Sequence, residues 1–401
     1  MKFSTAIATL SMMSCLSGAT IMARTTPIVP TDLSKDLEYS PYANRSPAAI
    51  RVLETSRSSP HVRTVVVVED GRVVVSYVRD DVDPNEPYDV WSVTKGVTSL
   101  LMGILLESGA IESVDETLGR IFADETTWEG IEDAEYRKQN ITIRELLTMT
   151  SGLAWDWSRF PLDPDWFEGV CSSERGNDQL RRWLSGPEIG TKGKFDYLAM
   201  SDILSHVIVK RTGMTPRDFI AKRVLPHLGI KADEIGWGAH CASPANRSPS
   251  TDEPESAFHN LRLTPVQMAK FGMLFLQEGA AGSDVVVVSP AWIREMLTPS
   301  IVIEDPLFYN ITGLRSEVSY GYLWYKDLAG IGTDNWCAFG MGGQYICIDR
   351  DLGRVLILQR DGCDGLDPDD LLNAMRVTLT DFVALDPNLS FKIQMPDDGE
   401  L

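Results

Sequence analysis

The sequence predicts an α+β fold, with one antiparallel sheet assembled from both chain ends and flanked by helices. A mostly helical second lobe lies between them. Three observations carry this. Val-rich runs at Arg63–Glu69 and Arg72–Arg79 are split by Asp70-Gly71, a strong hairpin signal. The stretch from Thr94 to Glu295 reads mainly as helices and loops. Strand patterns then return at Tyr320–Tyr325, Asn335–Gly340, Gln344–Asp349 and Val355–Arg360. Strands at the two ends of a helical middle fit a single layered unit with a cleft between its lobes.

In chain order, Lys2 precedes an apolar stretch from Phe3 to Leu16 and the small residues Ser17, Gly18 and Ala19. This is the pattern of a secretory signal peptide, so residues 1–23 are expected to direct export to the periplasm or the exterior. The stretch is too short for a stable membrane span. Met12-Met13-Ser14 is a poor context for lipidation of Cys15. Residues 24–45 are polar and form a loose lead-in. Residues 46–393 are expected to be one catalytic domain, with an α/β lobe at 46–95 and 296–393 and a helical lobe at 96–295. Ala48–Thr55 opens the domain as a helix. Val97–Leu105, Ile143–Met149, Met200–Lys210 and Pro265–Leu276 are the clearest helices of the middle. Asp351 and Gly353 supply a turn between the last two strands. An amphipathic helix from Asp367 to Val383 and an acidic tail at 394–401 close the chain.

Composition narrows the function. The chain has 401 residues, a formal net charge of -20 and a pI near 4.7. Such a surface repels phosphate backbones and argues against a nucleic-acid partner. Five His residues (His61, His206, His227, His240, His259) show no metal-ligand spacing. No Gly-x-Ser-x-Gly elbow occurs, which argues against an α/β-hydrolase. Beyond Cys15, the cysteines are Cys171, Cys241, Cys337, Cys347 and Cys363, an odd set without a Cys-x-x-Cys pair. Buried free thiols are the simplest expectation for most of them, although export would permit disulfides. Asn44, Asn140, Asn246, Asn310 and Asn388 are glycosylation acceptors only in a eukaryotic secretory pathway.

The chemistry is concentrated at Ser92-Val93-Thr94-Lys95, where an extended segment runs into an apolar-periodic helix. Residues three apart share a helix face, so the Ser92 hydroxyl and the Lys95 ammonium can meet. Burial disfavours the charged lysine and makes it a base near neutral pH. Ser-x-x-Lys alone arises about once by chance in a chain this long. Its surroundings decide the matter. Trp91–Lys95, Leu146–Leu153, Phe195-Asp196-Tyr197, Tyr320–Trp324 and Gly340–Gln344 follow in order from Val65 to Arg360. Together they resemble the class C β-lactamase-like serine hydrolases, which include DD-peptidases, carboxylesterases and aminohexanoate-dimer hydrolases. The last of these, with the related esterases, is the nearest branch in pattern.

The resemblance implies a serine β-lactamase-like fold and specific roles. Ser92 would be the nucleophile, Lys95 the base and Tyr197 a proton relay. The backbone N–H groups of Ser92 and Gln344 would form the oxyanion hole. Met341-Gly342-Gly343 would be the strand edge that receives substrate. The sequence departs from the family at two places. Ala199 stands where many members have Asn, and Met341 where many have Lys or His. Both weaken the case for β-lactam or peptide turnover and favour an ester or small amide, with a β-lactamase or DD-peptidase as the alternative and a catalytically inactive binding member of the fold after it. Asp202, five residues after Tyr197, fits the aminohexanoate-hydrolase branch. Trp155, Trp157, Phe160, Trp166 and Phe167 lie in a Pro/Asp-rich loop. They either line the substrate site or pin that loop to the helical lobe. The implied reaction requires no metal and no organic cofactor.

Overall fold

A computed structural model describes residues 28–133, 136–153, 179–184, 191–197, 201–238, 249–251, 253–304, 318–328 and 333–361. The expected signal peptide, Trp155, Trp157, Ala199, the expected final helix and the acidic tail lie outside them.

The helices are α1 (Pro47–Ser58), α2 (Thr94–Glu107), α3 (Leu118–Ile121), α4 (Glu125–Trp128), α5 (Ile143–Leu147), α6 (Gln179–Leu184), α7 (Ile203–Thr212), α8 (Pro216–Arg223), α9 (Pro265–Leu276) and α10 (Pro290–Met296). The strands of the main sheet are β1 (Val62–Glu69) and β2 (Arg72–Val78) from the first part of the chain. Three short strands, β3 (Tyr88–Asp89), β4 (Gly236–Trp237) and β5 (Leu261–Leu263), form a small second sheet, and β6 (Ala280–Gly282) pairs with β7 (Val285–Val286). The main sheet is completed by β8 (Ile301–Val302), β9 (Ser319–Tyr320), β10 (Tyr325–Lys326), β11 (Asn335–Gly340), β12 (Gln344–Asp349) and β13 (Arg354–Arg360). Its order is β2-β1-β13-β12-β11-β10-β9-β8 with antiparallel pairing throughout. The sheet is therefore built from both ends, as the sequence predicts. The closing pair is β1 with β13, in which Val66 faces Ile357 and Val67 faces Leu356.

Local chemistry explains the edges of these elements. Asp70 (φ 51°) and Gly71 (φ 78°) both adopt left-handed backbone, as a tight primed hairpin between right-twisted strands requires. Ser46 caps α1 by accepting from the Ala49 N–H, and Pro47 occupies the first turn, where no N–H is needed. Thr142 and Glu145 form a reciprocal capping box on α5. The expected extent of α5 to Met149 is too long: Met149 has φ 57° and leaves the helix. Tyr320–Tyr325 is likewise no continuous strand. Gly321 N–H donates to the Trp324 carbonyl and Leu323 takes φ 64°, so the segment folds back between β9 and β10. A Cβ on residue 321 would sit 2.4 Å from the Met296 carbonyl oxygen, which leaves room only for glycine.

Helix α9 lies against the sheet, although its segment was expected in the helical lobe. A Cβ at Gly272 would approach Val355 Cγ1 to 2.4 Å, so α9 seats its backbone almost directly on β13. The apolar sides of α2, α9 and the central strands merge into one core. The expectation of free thiols fails for the two described cysteines. Cys337 on β11 and Cys347 on β12 are directly opposite in register and form a disulfide. The sequence hides this pairing because adjacency depends on strand register. No helix among the described residues is long and apolar enough to cross a membrane.

Candidate active site

The site forms where β3 enters α2. Val90 N–H donates to the Leu261 carbonyl, which ties the approach to the small second sheet. Asp89 then accepts from the Trp91 N–H at 2.7 Å. Trp91 has φ 50°, an unfavourable backbone for a bulky residue and a sign of local strain. A short 3₁₀ turn, Trp91–Val93, follows and passes directly into α2. Thr94 locks the turn by donating its hydroxyl to the Trp91 carbonyl at 2.6 Å. Ser92 thereby sits half-buried at the head of a 14-residue helix, whose dipole favours negative charge there.

Lys95 lies one turn on, buried at 2% exposure. Its Nζ is 2.7 Å from Ser92 Oγ and 3.1 Å from Tyr197 Oη. The Phe258 carbonyl accepts from it at 3.4 Å. The rings of Tyr197 and Phe258 approach the same nitrogen, with centroids at 4.7 and 5.1 Å. Desolvation pushes the Lys95 pKa well below that of an ordinary lysine, opposed by the negative charge of Asp202. Burial raises the Tyr197 phenol, and hydrogen bonding with Ser92 and Tyr325 partly offsets it. An amine whose charged form is disfavoured, next to a hydroxyl and a phenol, is an arrangement that can pass one proton among three atoms.

The Leu146–Leu153 motif acts as a bracket for Tyr197. Met149 carbonyl accepts from Asp196 N–H at 2.9 Å, and Thr150 carbonyl from Gly193 N–H at 2.9 Å. Leu147 carbonyl accepts from Leu323 N–H, which fixes the turn ahead of Tyr325. The segments that the sequence singled out are thus physically linked around one point.

The opposite wall is the β11–β12 hairpin. Gly340 packs so closely on the serine turn that a Cβ there would meet the Val90 carbonyl oxygen at 2.3 Å and Trp91 Cβ at 3.1 Å. Gly342 (φ 76°) and Gly343 (φ 91°) make the turn into Gln344. The Gln344 side chain is fully buried and exchanges hydrogen bonds with the Arg360 backbone, donating to its carbonyl at 2.9 Å and accepting from its N–H at 3.2 Å. This sets the start of β12 beside Ser92, while Met341 remains partly exposed at the rim. Ser92, Lys95, Tyr197 and the Met341–Gln344 turn are therefore brought together. Among the described residues no group of three or more His, Cys, Asp or Glu is placed to hold a metal ion.

Three contributors were not given roles from the sequence. The Phe258 carbonyl touches Lys95, but a backbone acceptor leaves no mark on residue type. His259 beside it is buried, and desolvation lowers its imidazole to about 4, against a hydrogen bond with Asn260 that raises it. Asp202, singled out only by its spacing from Tyr197, is a buried carboxylate raised to about 7 by desolvation.

The sequence matches the Beta-lactamase family over residues 57–371. It is 29% identical over 154 residues to a monacolin J acid methylbutanoyltransferase of Aspergillus terreus, a match covering 36% of this chain and 37% of that protein. Similar solved structures include a 6-aminohexanoate-dimer hydrolase homologue from Bacillus anthracis, with a TM-score of 0.58 and 14% identity, covering 87% of this chain and 91% of that one. Unliganded simvastatin synthase from Aspergillus terreus superposes with a TM-score of 0.59 at 18% identity, over 85% of this chain and 97% of that one. A D-stereospecific amidohydrolase from Streptomyces gives a TM-score of 0.55 at 18% identity, over 82% of this chain and 97% of that one. With a family match across most of its length and the same sheet-and-helix architecture, the chain belongs to the Beta-lactamase family.

Proposed function

We propose that the protein is a serine hydrolase that acts through an acyl-enzyme on an ester or small amide. The observation that carries this reading is the buried Lys95 Nζ, held between Ser92 Oγ at 2.7 Å and Tyr197 Oη at 3.1 Å. In the reaction, Lys95 takes the Ser92 proton as Oγ attacks the substrate carbonyl. The N–H groups of Ser92 and Gln344 receive the developing oxyanion, a contribution of roughly a few kcal/mol per donor. Tyr197, resupplied through Lys95, protonates the leaving group, and water then attacks the acyl-enzyme. Met341 supplies no cation for a substrate carboxylate, which favours a neutral ester or amide over a β-lactam or a D-Ala-D-Ala peptide. Trp155 and Trp157 are assigned to substrate binding on the same reading.

An acceptor other than water is the second reading. It rests on the likeness to a protein named as a methylbutanoyltransferase. The Cys337–Cys347 disulfide supports placing the protein in the oxidising, exported compartment suggested by residues 1–23.

The test is hydrolysis of a short-chain p-nitrophenyl ester by the wild type and by Ser92→Ala. Loss of turnover in the variant supports the reading, and equal rates in both refute it. Faster p-nitrophenol release on adding a small alcohol, with the alkyl ester as product, would favour the transferase reading.

A further inference from the structure

Linked to Lys95 through the Ser256–Phe258 segment is a buried carboxylate that the proposed reaction does not use. Asp202 sits at the head of α7 with 2% exposure. Its Oδ1 accepts from the Ser256 hydroxyl at 2.9 Å and from the Ala257 N–H at 2.6 Å. Those two residues lead into Phe258, whose carbonyl accepts from Lys95 Nζ. Thr98, one turn past Lys95 on α2, donates to the Ala257 carbonyl at 2.7 Å. The Ser256–Phe258 turn is therefore clamped between α7 and α2, with Asp202 as its anchor on one side.

Resting on the serine-hydrolase reading above, we propose that Asp202 is a positioning residue for the Ser92–Lys95 pair. It holds the Ser256–Phe258 turn that receives Lys95, and its negative charge offsets the ammonium formed when Lys95 takes the Ser92 proton.

The chemistry requires such a group. As the Oγ–carbonyl bond forms, the serine proton moves to Nζ and a positive charge appears in a desolvated site. At 2% exposure the Lys95 amine offers little surface to solvating water. A carboxylate within Coulombic reach can offset the charge, and Asp202 is the acid that acts on Lys95. The other titratable groups around the pair are neutral near pH 7 or directed elsewhere. Tyr197 is a raised phenol, with Tyr320 and Tyr325 behind it also raised by burial. His259 is a lowered imidazole. Glu255, next to Ser256 in sequence, spends its carboxylate on Thr215 and the Arg217 N–H. His206 lies one turn further along α7.

The sign of the effect is fixed. Above about pH 7, where Asp202 is ionised, its negative charge favours the Lys95 ammonium, so its removal makes the lysine harder to protonate there. The acid limb of kcat/KM, where activity is lost as Lys95 takes up a proton, then moves to lower pH.

The experiment compares pH profiles of p-nitrophenyl acetate hydrolysis for wild type, Asp202→Asn and Ser256→Ala. Asn keeps an oxygen for Ser256 and Ala257 but removes the charge. Its acid limb is expected about one pH unit lower, with kcat reduced. Ser256→Ala keeps the charge and loosens the anchor. It is expected to lose about tenfold in kcat through misplacement of Lys95, with KM and the acid limb unmoved. An acid limb that does not move in a folded Asp202→Asn overturns the proposal. If that variant fails to fold, a wild-type kcat in Ser256→Ala overturns it and a selective kcat loss supports it. Ser92→Ala run in parallel is the independent check on the catalytic reading: residual turnover there refutes that reading whatever Asp202 does.

Discussion

Lys95 is the residue on which the proposed chemistry turns, and its environment gives a sharp prediction. A buried amine whose charged form is disfavoured can accept the serine proton, whereas a guanidinium stays protonated at any accessible pH. Lys95→Arg keeps a long polar side chain and is expected to lower kcat/KM for an ester by at least about 10²-fold, the usual scale of a general base. Near wild-type turnover would remove Lys95 from that role. His259 gives a second prediction, in stability. Its imidazole titrates near 6.5 when exposed and at about 4 in the fold. The folded state therefore binds fewer protons over that interval, and stability is lost as pH falls from about 6.5 towards about 4. Asp202, raised to about 7, has the opposite sign over an overlapping range, because the folded state holds a proton that the unfolded carboxyl releases. The contribution of His259 is isolated by comparison with His259→Gln. Between pH 7.5 and pH 5 the wild type should lose about 2 kcal/mol relative to the variant, read from denaturant curves. A constant difference across that range would mean that His259 is solvated.

At the scale of elements, the β11–β12 hairpin combines one wall of the candidate site with the disulfide. Cys337 and Cys347 are 10 residues apart and close a short loop. Cross-linking a loop of that size contributes about 2–3 kcal/mol through the unfolded chain. The Cys337→Ala/Cys347→Ala double variant is expected to melt several degrees lower, with its two-strand register intact. An unchanged melting point, or one that reducing agent lowers equally in both proteins, would contradict this. This hairpin also shows what the sequence reveals and what it conceals. The limits of β11 and β12 could be read from alternation and glycine placement, because each strand carries its own pattern. The disulfide could not, because it depends on which residues become opposite only after pairing. The same division runs through the site. Ser92 and Lys95 are visible because three residues make one helical turn, and Tyr197 because its flanks match a family motif. The Phe258 carbonyl and the clamp through Ser256 join segments far apart in the chain, and nothing in either segment alone announces the other. Tyr320–Tyr325 reads as one strand in the sequence because its aromatic residues have high β propensity. The close approach of Met296 at Gly321 decides the turn instead.

For the whole molecule, the decisive feature is that the sheet closes β1 against β13. Val65 to Glu69 pair with residues 354–358, so the first long strand finds its inner partner only near the end of the described chain. Helix α9 then covers β13, β12 and β1 together, with Gly272 seated against Val355. The sheet cannot be completed by local contacts alone, because the entropic cost of the long closure comes before the reward of the core. A chain ending at residue 343 would lack β12 and β13. It would leave β1 joined only to β2, strand β11 without its Cys347 partner, and one face of α9 uncovered. It would also lose Gln344, whose backbone is assigned to the oxyanion hole. Such a truncation is expected to fail as a folded species, with no cooperative thermal transition and no ester turnover, even though every residue of the Ser92–Lys95–Tyr197 cluster is still present. If the truncated chain instead unfolded cooperatively, the helical region would be an autonomous unit. The Ser92 turn would then owe its geometry to α2 and the small β3–β5 sheet, and the packing of Gly340 against Val90 and Trp91 would be dispensable.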